Sequence, residues 1–284
     1  MTSTAYHLDM PQSYRSRVVF ASPHSGRDYC APFLKNSVLD EKTIRSSEDA
    51  FVDRLFACSP LYGAPLLRAG APRAYLDLNR ASDELDPALI EGVRKVRHNP
   101  RIASGLGVVP RVVANARPIY HGKLSRSEAD TRIETIWRPY HAKLQALLTQ
   151  ALETFGEAIL LDCHSMPHEA VQTLAPGRSP EIVIGDRFGA SASPVIVEKV
   201  EAVFADAGLR VARNAPFAGA FTTQHYGRPS RRQHAVQIEI DRSLYMDEGL
   251  IRPNANFDAF CALLQGVVGQ LADLSGRDSR LAAE

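Results

Sequence analysis

Nothing in the sequence supplies a disulfide framework or a thiolate metal site. The four cysteines, Cys30, Cys58, Cys163 and Cys261, lie far apart and form no Cys-x-x-Cys pair. A charge of one sign is equally missing: 33 Lys and Arg stand against 32 Asp and Glu, for a formal net charge of +1. That balance gives no electrostatic case for nucleic acid or an anionic membrane as the main partner, and small molecules are expected instead. The basic clusters Arg94-Lys95-Val96-Arg97 and Arg231-Arg232 are short and read as solvated faces or anion contacts. No apolar run approaches the roughly 18 residues that a bilayer span requires. No leader with a basic start, apolar middle and small-residue cleavage site precedes the first apolar segment. Together these absences lead us to expect a soluble protein of the reducing cytoplasm, with no membrane partner.

What is present is ordinary globular material, 284 residues of which 45% are hydrophobic and 23% charged, enough to bury a large core. Strand-like and helix-like segments alternate along the chain. Strands are expected over 18–22, 65–68, 75–78, 158–162, 181–185, 209–212 and 235–240. Helices are expected over 49–58, 139–155, 194–207 and 257–274, with Leu144, Leu147, Leu148 and Leu152 spaced for one helical face. Interleaving of this kind predicts a largely parallel sheet with helices on both faces. The stretch 81–134, rich in Arg and Gly and weakly periodic, reads as a long excursion with short elements rather than a second domain. One domain with a core over about 17–275 is expected, and the residues after Gly276 read as a polar tail.

Chemistry concentrates where apolar runs stop. Ile159-Leu160-Leu161 gives way to Asp162-Cys163-His164-Ser165, and Val18-Val19-Phe20-Ala21-Ser22 runs into Pro23-His24-Ser25-Gly26. A lone histidine after a strand is commonly a polar turn residue, but two strand-end histidines with acids nearby suggest one metal site. Cys163, adjacent to His164 in a strand, must face the other way and belongs in the core. Ser46-Ser47-Glu48-Asp49 precedes an apolar helical pattern, so Glu48 and Asp49 read either as capping groups or as metal ligands. In Gln237-Ile238-Glu239-Ile240-Asp241-Arg242 the polar residues share one strand face, which lies either in water or along a cleft. A glutamate there has the chemistry of a general base for metal-assisted hydrolysis. The pair Asn79-Arg80, after Tyr75-Leu76-Asp77-Leu78, offers an amide and a guanidinium that can grip a carboxylate.

Taken in order, the blocks Ser22-Pro23-His24-Ser25-Gly26, Glu48-Asp49-x-x-Val52-Asp53, Asp77-Leu78-Asn79-Arg80, Arg138-Pro139-Tyr140-His141, Leu161-Asp162-Cys163-His164-Ser165-Met166, Gly219-x-x-Thr222-x-x-His225-Tyr226-Gly227 and Gln237-Ile238-Glu239-Ile240-Asp241-Arg242-x-x-Tyr245 closely resemble the N-formylglutamate amidohydrolase family. The resemblance runs from about Val18 to Leu250. It implies an α/β fold, a three-layer α/β/α single domain with a mixed central sheet, similar to zinc carboxypeptidases and aspartoacylases. It also implies hydrolysis of N-formyl-L-glutamate to formate and L-glutamate, the deformylating step of a histidine degradation route.

Carried over block by block, the resemblance makes His24 and His164 zinc ligands, with Asp49 or Glu48 as the third and Asp49 preferred. Zinc would activate a water, and such a site could also take cobalt, manganese or iron. Glu239 resembles the late-strand base, and Arg138 or Arg27 is a source of positive charge for the oxyanion. Asn79 and Arg80 would hold a substrate carboxylate, with Arg242, Tyr245 or His225 adding contacts, and Asp162 would orient a ligand histidine. The expected partner is a small acidic N-acyl amino acid. Within hydrolases the alternatives are another N-acyl amino acid or a carboxypeptidase-like peptidase as substrate; outside them, a non-catalytic metal-binding protein, against which Glu239 argues.

Overall fold

The nine-residue strand Ala158–Met166 is buried from end to end, and the rest of the protein is arranged around it. The computed structural model describes residues 4–94, 99–172 and 179–274; the polar tail expected after Gly276 lies outside these residues, as do Lys95, Val96 and Arg97 of one basic cluster. Seven strands form one sheet: β1 (Tyr6–Asp9), β2 (Val18–Ser22), β3 (Leu66–Ala69), β4 (Ala158–Met166), β5 (Ile182–Gly185), β6 (Val211–Arg213) and β7 (Gln233–Asp241). Their spatial order is β1-β3-β2-β4-β7-β5-β6. The central run β3, β2, β4 and β7 is parallel, whereas β1 is antiparallel to β3 and β5 is antiparallel to β7. The sheet is therefore mixed.

Alternation along the buried strands divides the core in two. Val18, Phe20, Ile159, Leu161, Cys163, Val236, Ile238 and Ile240 face one side, where helices Pro194–Asp206 and Phe257–Ala272 add Val197, Phe204, Leu264 and Val268. Val19, Ala21, Leu160 and Ala235 face the other, covered by helix Arg138–Phe155 through Tyr140, Leu144, Leu147 and Leu148. Cys163 lies on the first face, opposite its neighbour His164, as strand alternation requires.

Three expectations are corrected. Residues 75–78 are not a strand, because Pro72 starts a turn whose carbonyl accepts from the Tyr75 and Leu76 N–H groups, leaving Asp77 N–H to reach Val108 O at 2.8 Å. The helix expected over 49–58 shrinks to Val52–Leu55, since Phe51 adopts φ 68, outside the helical region, and ends continuity there. The strand expected over 158–162 continues to Met166, because β7 pairs with it as far as Met166 opposite Asp241. Strand β1, Tyr6–Asp9, lies outside the expected strands. The 81–134 excursion is packed: Leu85, Leu89, Ile90, Val108, Val109, Ile119 and Leu124 join the second core face. Inside it the buried Arg132 sits over the Tyr75 ring at 4.1 Å and donates to Tyr120 Oη at 2.7 Å.

Candidate functional site

Strand parity decides which polar side chains meet. In β4, Leu160 faces the excursion side, so Asp162 and His164 face it too; in β7, Ala235 sets the same face for Gln237 and Glu239. The parallel register puts Asp162 opposite Gln237 and His164 opposite Glu239. Both strands are flanked on each side by others, so the polar face of β7 lines a cavity and is not the wet side of an edge strand. His24 arrives from the turn after β2, where Ser22 Oγ donates to Ser25 Oγ at 2.7 Å. Gly26 completes that turn: a Cβ there would lie 2.2 Å from Ala71 O, so a side chain cannot be placed without moving backbone. Asp49 is tied to the same turn by its N–H, which donates to His24 O at 3.0 Å.

Three buried donors converge. His24 Nδ1 and His164 Nδ1 are 3.1 Å apart, and Asp49 Oδ2 lies 3.4 Å from the first and 3.0 Å from the second. Asp49 also accepts from Arg242 Nη2 at 3.0 Å through its other oxygen, and the same guanidinium donates to Glu48 O at 2.7 Å and, through Nε, to Ser165 Oγ at 3.1 Å. Each imidazole is braced from behind: His24 Nε2 lies 2.8 Å from Asp77 Oδ1, and His164 Nε2 lies 3.0 Å from Asp162 Oδ2. A carboxylate behind each ring favours a proton on Nε2 and turns the Nδ1 lone pair toward the meeting point. Two imidazoles and a carboxylate aimed at one buried point form a donor set that fits a divalent metal ion.

The electrostatics agree with that donor set. Burial opposes ionisation of Asp49, but hydrogen bonds and charge from His164 and His24 outweigh it and hold the carboxyl well below the usual range. For Asp77 burial is likewise overcome, by His24, Arg73 and Arg80. His164 is raised well above an ordinary imidazole because Asp162, Asp49 and Glu239 together outweigh the cost of burial. The acids gathered around His164 are what a cation placed among these groups would neutralise. Glu239 behaves oppositely. Burial, reinforced by Asp49, raises it to about 7 against the pull of His164, Arg73 and Arg242. Gln237 Nε2 donates to Glu239 Oε1 at 2.8 Å.

A cavity of about 690 Å³ opens over the triad, lined by His24, Asp49 and His164, by Gln237 and Glu239, and by Arg73, Asn79, Arg80, Arg101 and Arg242. Of the residues singled out in sequence, His24, Asp49, His164, Glu239, Asn79, Arg80 and Arg242 are brought together here, with Asp162 behind His164. Asn79, however, has its amide engaged within the protein: Oδ1 accepts from Thr222 N–H at 2.8 Å, and Nδ2 donates to Gln237 Oε1 at 3.4 Å. Arg242 is spent on Asp49.

The others are elsewhere. Glu48 turns away to accept from Tyr29 Oη at 2.6 Å and from Arg45 Nε at 3.0 Å, and neither Glu48 nor Asp49 caps the helix that follows. Arg138 pairs with Glu134 on an exposed surface at 2.6 Å and lines a separate cleft of about 1020 Å³ that none of the triad reaches. Arg27 pairs with Asp53 at 2.6 Å, also outside the cavity. His225 stacks on Phe221, with ring centroids 5.0 Å apart, and Tyr245 is fully buried among Phe257 and Phe260. Sequence reading gave no role to Arg73 and none to Asp77, although Asp77 sits in a quoted block; an aspartate beside a strand-like run carries no signal that it faces a histidine 53 residues away.

The family model described as N-formylglutamate amidohydrolase matches residues 16–246. The chain is similar to the N-formylglutamate deformylases of Pseudomonas putida, at 30% identity over 82% of this chain and 83% of that protein, and of Pseudomonas aeruginosa, at 30% identity over 82% and 84%. Among solved structures it is similar to the N-formylglutamate amidohydrolase of Ralstonia eutropha JMP134, at 36% identity and a TM-score of 0.88, covering 95% of this chain and 98% of that one.

Proposed function

Because the chain belongs to the N-formylglutamate amidohydrolase family, we propose that it hydrolyses N-formyl-L-glutamate to formate and L-glutamate, the deformylating step of histidine degradation. The observation that carries this reading is the convergence of His24 Nδ1, Asp49 Oδ2 and His164 Nδ1 beneath a cavity into which Glu239 faces from the neighbouring strand. His24, Asp49 and His164 are the residues we assign to the metal, and zinc suits their nitrogen and oxygen donors. When bound, such an ion supplies Lewis-acid activation of the formyl carbonyl and of the attacking water.

The chain's own groups do the rest. Asp77 and Asp162 hold the two imidazoles so that Nδ1 faces inward. Glu239, with Oε1 held by Gln237, takes a proton from the attacking water on Oε2. As the C–N bond breaks, that proton passes to the departing amine nitrogen. Arg73, whose Nε is anchored on Asp77 Oδ2 at 3.1 Å, is the cation that offsets charge developing on the formyl oxygen, in place of Arg138 or Arg27. Arg80 receives a substrate carboxylate. We treat residues 17–275 as one catalytic unit, since both core faces belong to the same sheet. No helix among the described residues is long and apolar enough to cross a membrane. The four cysteines are unpaired, which supports a reducing, cytoplasmic setting.

The test is formate release from N-formyl-L-glutamate by the purified protein, before and after removal of metal with a chelator and restoration of zinc. Activity that disappears and returns with zinc supports the reading. A folded, zinc-loaded protein that releases no formate overturns it.

A further inference from the structure

Four guanidinium groups and three carboxylates line the cavity: Arg73, Arg80, Arg101 and Arg242 against Asp49, Asp77 and Glu239. Two of the four are already committed to acids, Arg73 to Asp77 and Arg242 to Asp49. Among the described residues, neither Arg80 nor Arg101 forms an ion pair. Arg80 is buried and fixed, its Nε donating to Leu106 O at 2.9 Å and its Nη1 to Asn79 O at 2.7 Å. Arg101 projects from the short helix Pro100–Ala103, which Asn99 Oδ1 caps by accepting from the N–H groups of Arg101 and Ile102. Arg101 is close enough to Arg80 to repel its charge. Arg80 also feels Asp77 and Glu84, but it pairs with neither, and two like charges held near each other on one cavity wall make a place for anions.

An N-acyl glutamate carries two carboxylates at different distances from the scissile bond, and the two uncommitted arginines differ in depth, Arg80 buried and Arg101 exposed on the wall of the same cavity. Asn79 touches His164, so its neighbour Arg80 is on the side of the metal ligands, where a carboxylate one carbon from the scissile nitrogen would fall. Arg101 is exposed at the cavity wall whereas Arg80 is buried in it, so of the two Arg101 is the one placed for the outer end of a bound substrate. Leu106 O, held by Arg80, ties the segment that carries Arg101 to Arg80 itself. We propose that Arg101 is the residue that reads the side-chain carboxylate of the substrate, while Arg80 binds the α-carboxylate. This rests on the N-acyl glutamate hydrolase reading above and adds the origin of its acidic side-chain preference. Restricted to the far carboxylate, Arg101 contributes nothing to substrates that lack it.

The experiment compares wild type, Arg101→Met and Arg101→Lys on N-formyl-L-glutamate and on N-formyl-L-glutamine, which is nearly the same shape without the side-chain charge. Loss of one charge-assisted contact predicts that Arg101→Met lowers kcat/KM for N-formyl-L-glutamate roughly 10- to 100-fold, mostly through KM. It predicts that turnover of N-formyl-L-glutamine is unchanged and that Arg101→Lys recovers part of the loss. Arg101 is solvent-exposed, so the variants should melt with wild type. An equal loss on both substrates would assign Arg101 a merely structural part and overturn the proposal, as would no loss on either. Wild-type, zinc-loaded protein that turns over neither substrate overturns the parent reading along with it, whereas an active wild type with an indifferent Arg101 overturns this proposal alone.

Discussion

Glu239 is the residue on which the chemistry turns. Replacing it with Gln keeps the shape and the contact with Gln237 but removes the proton acceptor, so formate release should fall by about 10²- to 10⁴-fold while bound metal, measured by elemental analysis, is retained. Its raised position also predicts how activity follows pH: kcat/KM should climb as pH rises and the base ionises, over a range that a bound cation draws below the value of about 7 reached without metal. Stability should move the other way. A carboxyl at about 7 in the fold and at 4.5 in the open chain disfavours the folded protein increasingly as pH rises from 4.5 to 7. In metal-free protein, Glu239→Gln should therefore be stabilising by about 3 kcal/mol at pH 8 and nearly neutral at pH 4, as urea titrations at the two values would show. Asp77 gives a complementary case. Asp77→Asn leaves His24 without its carboxylate brace, and metal affinity measured by chelator competition should drop about 10- to 100-fold.

At the scale of elements, the pairing of β4 with β7 places the site. Its register runs unbroken from Ala158 opposite Gln233 to Met166 opposite Asp241. A one-residue slip would turn His164 and Glu239 into the opposite core face, so the apolar residues between them specify the chemistry indirectly. Leu161, fully buried in β4 on the face away from the metal ligands, should cost about 2 to 5 kcal/mol when replaced by Ala, read from denaturant unfolding. The turn after β2 is a second constraint. Gly26→Ala puts a methyl 2.2 Å from Ala71 O, and the backbone shift that relieves it moves His24; both melting temperature and zinc affinity should fall.

For the molecule as a whole, the site gathers groups from distant parts of the chain. His24 follows β2, Asp49 comes from the next loop, Arg73, Asp77 and Arg80 from the turn after β3, His164 from β4, and Glu239 and Arg242 from the end of β7. A ligand that binds only when all are assembled stabilises the whole fold by mass action. At zinc a thousandfold above its dissociation constant that gain is about 4 kcal/mol, so chelation should lower Tm by several degrees and zinc should restore it.

The layered α/β architecture was legible in the chain alone, because the periods of apolar residues in segments such as 158–162 and 139–155 are local properties. The sequence also singled out the two histidines and Glu239, since each sits where an apolar run meets polar residues on one strand face. What it could not decide was which charged group faces which. Glu48 and Asp49 are adjacent in sequence, yet one is turned to Arg45 and Tyr29 and the other to the histidines, a choice made by Phe51 leaving the helical region and by Arg242 reaching across from the end of β7. Arg138 and Arg27 were the cations expected at the oxyanion, and nothing in residue type or order pointed to Arg73 instead. Their separation came from tertiary packing, which sent the first to the exposed side of its helix beside Glu134, the second to Asp53, and Arg73 to Asp77 in the cavity. Charge pairing between residues far apart in sequence leaves no periodic trace, so only the folded chain could show it.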